Sequence, residues 1–184
     1  MIIAYHIIFT TYGTWLPNDP RGSYSKEVYD SELRSLGDLR YGRQDPPPQP
    51  NILRRFWTAS RDKLARPAFF IDDSKRESIA CGFARVVERL DLTVRACAIM
   101  NDHIHLLTSR SRQRIEYVIG QFKGAGTRAM GLSQTPWTKG AWKVFISDFE
   151  TLAAAARYIE MNPIKAGFQP QHWSFVTPLS PTDF

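Results

Sequence analysis

The sequence predicts an α+β fold: an antiparallel sheet with helices packed on it, in the order β-α-β-β-α-β, with one further helix at the end. Three observations carry this. Strand-length runs rich in apolar and β-branched residues recur at 2–11, 92–100, 103–109 and 140–146. Apolar stripes at helical spacing fill 74–90 and 112–131 between those runs. Asn101-Asp102 alone separates the second and third strands, which is the signature of a tight antiparallel hairpin.

The elements follow in order. Residues 2–11, rich in Ile, Tyr, Phe and Thr, form the first strand. Gly13, Pro17, Pro20 and Gly22 then mark a loop. From there to about residue 73 periodicity is weak, and Pro46, Pro47, Pro48 and Pro50 oppose regular structure. This stretch reads as a long loop insertion at about 12–73 holding one short helix near 26–36. Such loops in compact domains are usually functional or mobile. Ser74 is placed to cap the helix over 74–90, whose stripe is Ile79, Phe83, Val86, Val87 and Leu90. The helix over 112–131 presents Ile115, Val118, Ile119 and Phe122 on one face, although Gly124-Ala125-Gly126 is a weak helix former. The last helix, 148–161, starts at Asp148 as N-cap and stops before Pro163. An irregular, proline-rich tail from about 169 packs loosely through Trp173 and Phe175. The first six elements make the split, ferredoxin-like arrangement, and the chain reads as a single domain over 1–184.

A chain of 184 residues with 43% apolar residues can bury a real core, which excludes global disorder. The net charge of +6 is local. Between Arg110 and Lys143 stand seven basic residues and one acidic one, so this segment alone carries +6 and the rest sums to zero. A basic zone of this kind is the footprint of a polyanion, most often nucleic acid. Cys81 and Cys97 are too few and too far apart for a zinc cluster or a disulfide scaffold. No basic leader precedes an apolar run and no apolar run approaches 18 residues, so the reading is a cytoplasmic protein with no membrane span.

The chemistry centres on His103-Ile104-His105. Alternate residues of a strand share a face, which puts both imidazoles on one side about 7 Å apart. Two buried imidazoles each need a partner, and one divalent metal would satisfy both. Tyr158 follows fifty-three residues after His105, and Asn162 lies one turn beyond it on the same helix face. The Asn162 amide oxygen is a neutral hard ligand suited to Mg²⁺ or Mn²⁺. It reads equally as a helix terminator before Pro163. His6 on the first strand and His172 in the tail fall outside both motifs and are not assigned to the site.

Met100-Asn101-Asp102-His103-Ile104-His105-Leu106-Leu107 resembles the histidine–hydrophobic–histidine (HUH) motif of single-strand DNA transposases. Arg157-Tyr158-Ile159-Glu160-Met161-Asn162-Pro163-Ile164-Lys165-Ala166-Gly167 resembles the nucleophile helix of REP-associated tyrosine transposases, in the insertion-sequence transposase group. The order and separation of the two motifs are also similar. The likeness extends to the opening strand, Phe122-Lys123-Gly124 and Trp142, covering most of 1–11 and 74–168. It implies a metal-dependent single-stranded DNA transesterase that cleaves and rejoins hairpin-bearing DNA through a 5′-phosphotyrosine. His103 and His105 would be metal ligands, Asn162 the third ligand, Tyr158 the nucleophile, and Mg²⁺ or Mn²⁺ the cofactor.

With that reading, Arg110, Arg112, Arg114, Lys123 and Arg128 would track the DNA backbone, and Lys165 would contact phosphate. Trp15, Trp57, Trp137 and Trp142 offer stacking surfaces for unpaired bases, with Trp15 and Trp137 favoured for their loop neighbours. The chain would act as a monomer or homodimer. Two other readings stand beside this one: a non-catalytic ferredoxin-like nucleic-acid-binding protein, and an HUH nicking enzyme of the replication or relaxase type.

Overall fold

In the computed structural model, which describes residues 1–28 and 30–180, the elements run β1 (Ala4–Thr10), α1 (Ser31–Arg34), α2 (Pro50–Arg61), α3 (Asp73–Leu90), β2 (Val94–Ile99), β3 (His103–Ser109), α4 (Ile115–Ala129), β4 (Trp142–Ile146) and α5 (Phe149–Lys165). The chain divides into two compact units: residues 1–10 with those from Ile71 onward, and residues 11–70.

The first unit is built on a four-stranded sheet in the order β2-β3-β1-β4, every neighbouring pair antiparallel. This is the order produced when two β-α-β crossovers interleave, so the ferredoxin-like expectation and the observed topology agree. Strand alternation sends Ile7, Phe9, Ile104 and Leu106 to one face. There Phe9 meets Trp137 edge-on at 5.2 Å between ring centroids, and Phe83 of α3 meets Phe122 of α4 at 4.8 Å. The weak helix formers of α4 serve close packing. A Cβ on Gly126 would lie 3.1 Å from the Trp137 ring, and one on Gly82 of α3 would lie 2.8 Å from the Ala125 carbonyl oxygen. Side chains there would push the two helices apart.

The other face is lined by small residues. Ala4, Ala96 and Ala98 let α5 settle onto β2 and β3, where Leu152, Ala156 and Ile159 of the helix are buried with Leu107 and Ile146. The buried positions recur at helical spacing, which fixes the rotation of α5 about its axis.

Several boundaries differ from the sequence reading. Asp72, not Ser74, caps α3, accepting from the Lys75 backbone N–H. Asp148 caps α5 as expected. However, α5 runs through Pro163 to Lys165, because a proline in the last turn loses only one hydrogen bond and here its ring is buried. The tail is not loosely packed. Gln171 bonds both backbone groups of Ile99, at 2.8 and 2.9 Å, and Val176 bridges Val94 along the outer edge of β2. Phe175 is buried, its ring centroid 6.2 Å from that of Phe83.

The second unit holds α1 and α2, where the sequence reading expected a loop with one short helix. Pro50 starts α2 at its first turn, the position at which a missing N–H costs nothing. Leu16, Val28, Leu33 and Phe56 make a small core, with Trp57 and Leu64 against it. Asp19 is buried in a two-point ion pair with Arg21, whose guanidinium covers the rings of Trp15 at 3.9 Å and Trp57 at 4.9 Å.

Candidate functional site

The site is assembled on the sheet face that carries α5. Odd positions of β3 point there, which places His103, His105 and Leu107 side by side. The register sets Ile8 opposite His105 and His6 opposite Leu107. His6 therefore stands diagonally across from His105, within reach of its ring.

Three imidazoles form a chain ended by a carboxylate. Asp102 Oδ1 lies 2.6 Å from His103 Nδ1. His103 Nε2 lies 3.0 Å from His105 Nε2. His105 Nδ1 lies 2.9 Å from His6 Nε2. The turn carrying Asp102 is held from below by the buried Arg76. Its Nε donates to the Ile99 carbonyl at 2.8 Å and its second amino group to Asn101 Oδ1 at 2.9 Å. Ile71 N–H donates to the Asn101 carbonyl at 2.7 Å.

Tyr158 projects from α5 beside this chain. Its ring centroid is 5.7 Å from that of His105 and 6.2 Å from that of His6, and the residue is 48% exposed, so a large substrate can reach it. The Lys165 ammonium stands 5.8 Å from the Tyr158 ring centroid. Asn162, one turn further on, donates from Nδ2 to the Tyr158 carbonyl at 3.0 Å, which leaves its amide oxygen as the potential ligand atom.

The donor set fits a divalent metal. Two ligands about 2.1 Å from one ion and about 90° apart are separated by about 3.0 Å, which is the observed Nε2···Nε2 distance. Ligation through Nε2 leaves the Nδ1 proton on each ring. The Asp102 contact then orients His103 as carboxylates orient metal-bound histidines elsewhere. Among the described residues no group of three or more His, Cys, Asp or Glu is placed to hold a metal. Further ligands would have to be of another kind, such as the Asn162 amide oxygen, water or phosphate.

Burial pushes His6 down to about 4. Burial first, then the neighbouring His103 and His6, push His105 down to about 2. Both rings are neutral in the fold at neutral pH, whereas the unfolded chain binds protons on them below about pH 6.5. The folded values are the lower ones, so stability is intact above about pH 6.5 and falls as pH drops toward 4. The loss from His6 alone is on the order of 3 kcal/mol. Thermal melts from pH 7 to 4 should show this fall, and His6→Gln should flatten part of it. An unchanged slope in His6→Gln would contradict the neutral, buried ring.

The expected site residues thus separate into groups. His103, His105 and Tyr158 come together; Lys165 lies near the Tyr158 ring, and Asn162 is one helical turn from Tyr158. Arg110, Arg112 and Arg114 are exposed at the opposite end of β3. Five residues of strand put Arg110 about 17 Å from His105. Lys123 and Arg128 lie on α4, on the other face of the sheet. Lys123 is not a free phosphate contact. Its ammonium donates to the carbonyls of Thr138, at 2.9 Å, and Gly140, and lies 5.4 Å from the Phe9 ring centroid. Burial pushes it down to about 8.

Trp137 is buried, with its indole N–H on the Lys123 carbonyl at 2.8 Å, and so offers no stacking surface. Trp15 is half-buried under Arg21. Trp142 is 39% exposed and pairs with Ile8, which places it in the same cross-strand row as His105. The residue that sequence reasoning missed is His6. Its only signal was a polar ring at an inward position of an apolar strand.

Comparison with known proteins adds the family. A structure of a REP-associated tyrosine transposase bound to a REP hairpin is similar at 12% identity and a TM-score of 0.48, over 91% of this chain and 70% of that one. A putative transposase from Deinococcus radiodurans is similar at 18% identity and a TM-score of 0.35, over 87% of this chain and 90% of that one. None of the curated proteins compared with the chain matches it significantly. Among the described residues no helix is long and apolar enough to cross a membrane. Residues 64–162, which include both histidines of β3, Tyr158 and Asn162, match the IS200-like transposases, and with more than half of its length so matched the chain belongs to that family.

Proposed function

We propose that this transposase is a metal-dependent single-stranded DNA transesterase that works through Tyr158 on hairpin-bearing DNA. The observation that carries the proposal is the convergence of His103 Nε2 and His105 Nε2 at 3.0 Å beside the exposed Tyr158 ring. His103, His105 and Asn162 would hold Mg²⁺ or Mn²⁺, which when bound would polarise the scissile phosphodiester.

The remaining steps belong to the chain. His103 and His105 hold the phosphate side of the site on a rigid strand. Lys165 adds positive charge next to the Tyr158 ring, where the phosphate arrives. The Tyr158 Oη attacks phosphorus, and a new O–P bond forms as the bond to the 3′ oxygen breaks. The phenol proton passes to solvent and the departing 3′ oxygen takes one up, leaving a 5′-phosphotyrosine and a free 3′-OH. The phosphodiester bond energy is retained, so a second 3′-OH can displace Tyr158 and rejoin the strand without ATP. Phenol is a better leaving group than an alkoxide, which suits tyrosine to a reversible linkage.

The test is the protein–DNA adduct itself: whole protein, a single-stranded hairpin oligonucleotide and Mn²⁺ or Mg²⁺, with the adduct read by its shift on a denaturing gel. DNA bound without an adduct under any metal condition would favour the non-catalytic binding protein instead.

The distance between the exposed arginines and the imidazoles gives a separate prediction. Arg110, Arg112 and Arg114 would hold the DNA away from the chemistry. Changing all three to Gln is expected to weaken single-strand binding and to reduce the slope of log affinity against log salt by roughly 2. The rate of adduct formation at saturating DNA should stay the same. A slowed reaction at saturation would place these arginines nearer the scissile phosphate than the strand geometry does.

A further inference from the structure

We infer that His6 is a positioning residue for the candidate metal pair: by accepting the Nδ1 proton of His105 it gives that ring access to the tautomer whose Nε2 lone pair faces His103. The inference rests on the metal-dependent reading above and extends it to a residue outside both sequence motifs.

A neutral imidazole carries one ring proton, and the contacts around His105 allow it two positions. With the proton on Nε2, His105 donates to His103 Nε2 across the 3.0 Å gap, and its bare Nδ1 accepts from His6 Nε2–H. The space between the two Nε2 atoms is then filled by a proton. With the proton on Nδ1, His105 donates to His6 Nε2, and both Nε2 lone pairs face one another, an arrangement that a cation between them stabilises. The two states differ by a concerted shift: one proton moves from Nε2 to Nδ1 of His105 and one from Nε2 to Nδ1 of His6. No net charge changes. Asp102 fixes His103 permanently, because a carboxylate only accepts. His6 can accept or donate, so it supports the metal-free tautomer and the metal-bound one in turn.

Both rings are buried, and water is a poor substitute partner there. Without an acceptor opposite Nδ1, the metal-binding tautomer would strand a buried N–H. The metal-free tautomer would present a bare Nδ1, which the positive edge of a phenylalanine ring in place of His6 tolerates better than an N–H. Loss of His6 therefore biases His105 against the metal. Removal of an orienting partner of a metal ligand typically weakens metal binding 10–100-fold.

The experiment is an Mn²⁺ titration of the whole protein without DNA, read by electron paramagnetic resonance. His6→Phe keeps a ring and removes the acceptor; His6→Gln keeps a carbonyl oxygen near the Nε2 position. His6→Phe is expected to bind Mn²⁺ 10–100-fold more weakly, and His6→Gln to recover affinity to within a few-fold of the unaltered protein. Nitrogen-15 histidine spectra of the unaltered protein supply a readout that needs no variant: Mg²⁺ should move the His105 proton to Nδ1. Unaltered affinity in His6→Phe, a folded His6→Gln as weak as His6→Phe, or a His105 proton that stays on Nε2 with Mg²⁺ bound would each overturn the assignment. Failure of the metal reading looks different: the unaltered protein then shows no Mn²⁺ binding, and both proposals fall.

Discussion

Tyr158→Phe should abolish the covalent DNA adduct, a drop of roughly 10⁴-fold or more, because it removes the one atom that forms the new bond to phosphorus. The substitution is otherwise mild. The ring keeps its edge contacts with His105 and His6, and at 48% exposure the lost hydroxyl costs the fold little, within about 0.5 kcal/mol. DNA affinity should therefore persist while chemistry disappears, which separates the nucleophile from a binding role. Adduct formation by Tyr158→Phe would mean that another side chain attacks. Tyr24, Tyr41 and Tyr117 are the other exposed tyrosines among the described residues to examine; Tyr117 lies on α4, in the helix layer on the opposite face of the sheet from the imidazoles.

A chelator should have an effect of similar size. EDTA is expected to suppress adduct formation, and an excess of Mg²⁺ or Mn²⁺ should restore it, since a divalent cation held by His103 and His105 would supply the charge that polarises the phosphodiester. His103→Ala is the variant of choice. The His103 side chain retains about a fifth of its exposure, so truncation costs little packing while removing a ligand. The same change at His105 would also strand His6 in the core and confuse lost chemistry with lost stability. His103→Ala should reduce the adduct at least a hundredfold and should not be rescued by millimolar metal. Full activity in EDTA would exclude the metal from the mechanism.

Much of the fold was legible. Strands 94–99 and 103–109 were marked by apolar runs around Asn101-Asp102, and α5 by Asp148 and its stripe, because these signals are local and the fold uses them as they stand. The helix α2 was legible in principle: Leu53, Phe56, Trp57 and Ser60 have helical spacing. The prolines before it masked the pattern, although Pro50 sits at the one place in a helix where proline is tolerated. Trp137 was misjudged for a related reason. Its loop neighbours indicate exposure, but its ring fills the gap left by Gly126 and its N–H is satisfied inside the helix layer.

The residues of the candidate site divide in the same way. His103 and His105 share a strand face by alternation, and Tyr158 and Asn162 share a helix face by the 3.6-residue turn; sequence alone determines both pairs. Which faces meet is a tertiary matter. The small residues Ala96 and Ala98 admit α5 over β2 and β3, and that packing turns Tyr158 toward the imidazoles. The β1–β3 register alone brings His6 against His105, across 99 positions of chain. A shift of one residue would have sent His6 to the opposite face. The placement of the basic residues was decided there too. Arg110 to Lys143 form one run of charge along the sequence, but a strand end and a helix on the far face carry its parts to separate surfaces. Spacing along the chain determines neighbours within an element; neighbours between elements follow from packing and register, which no local pattern encodes.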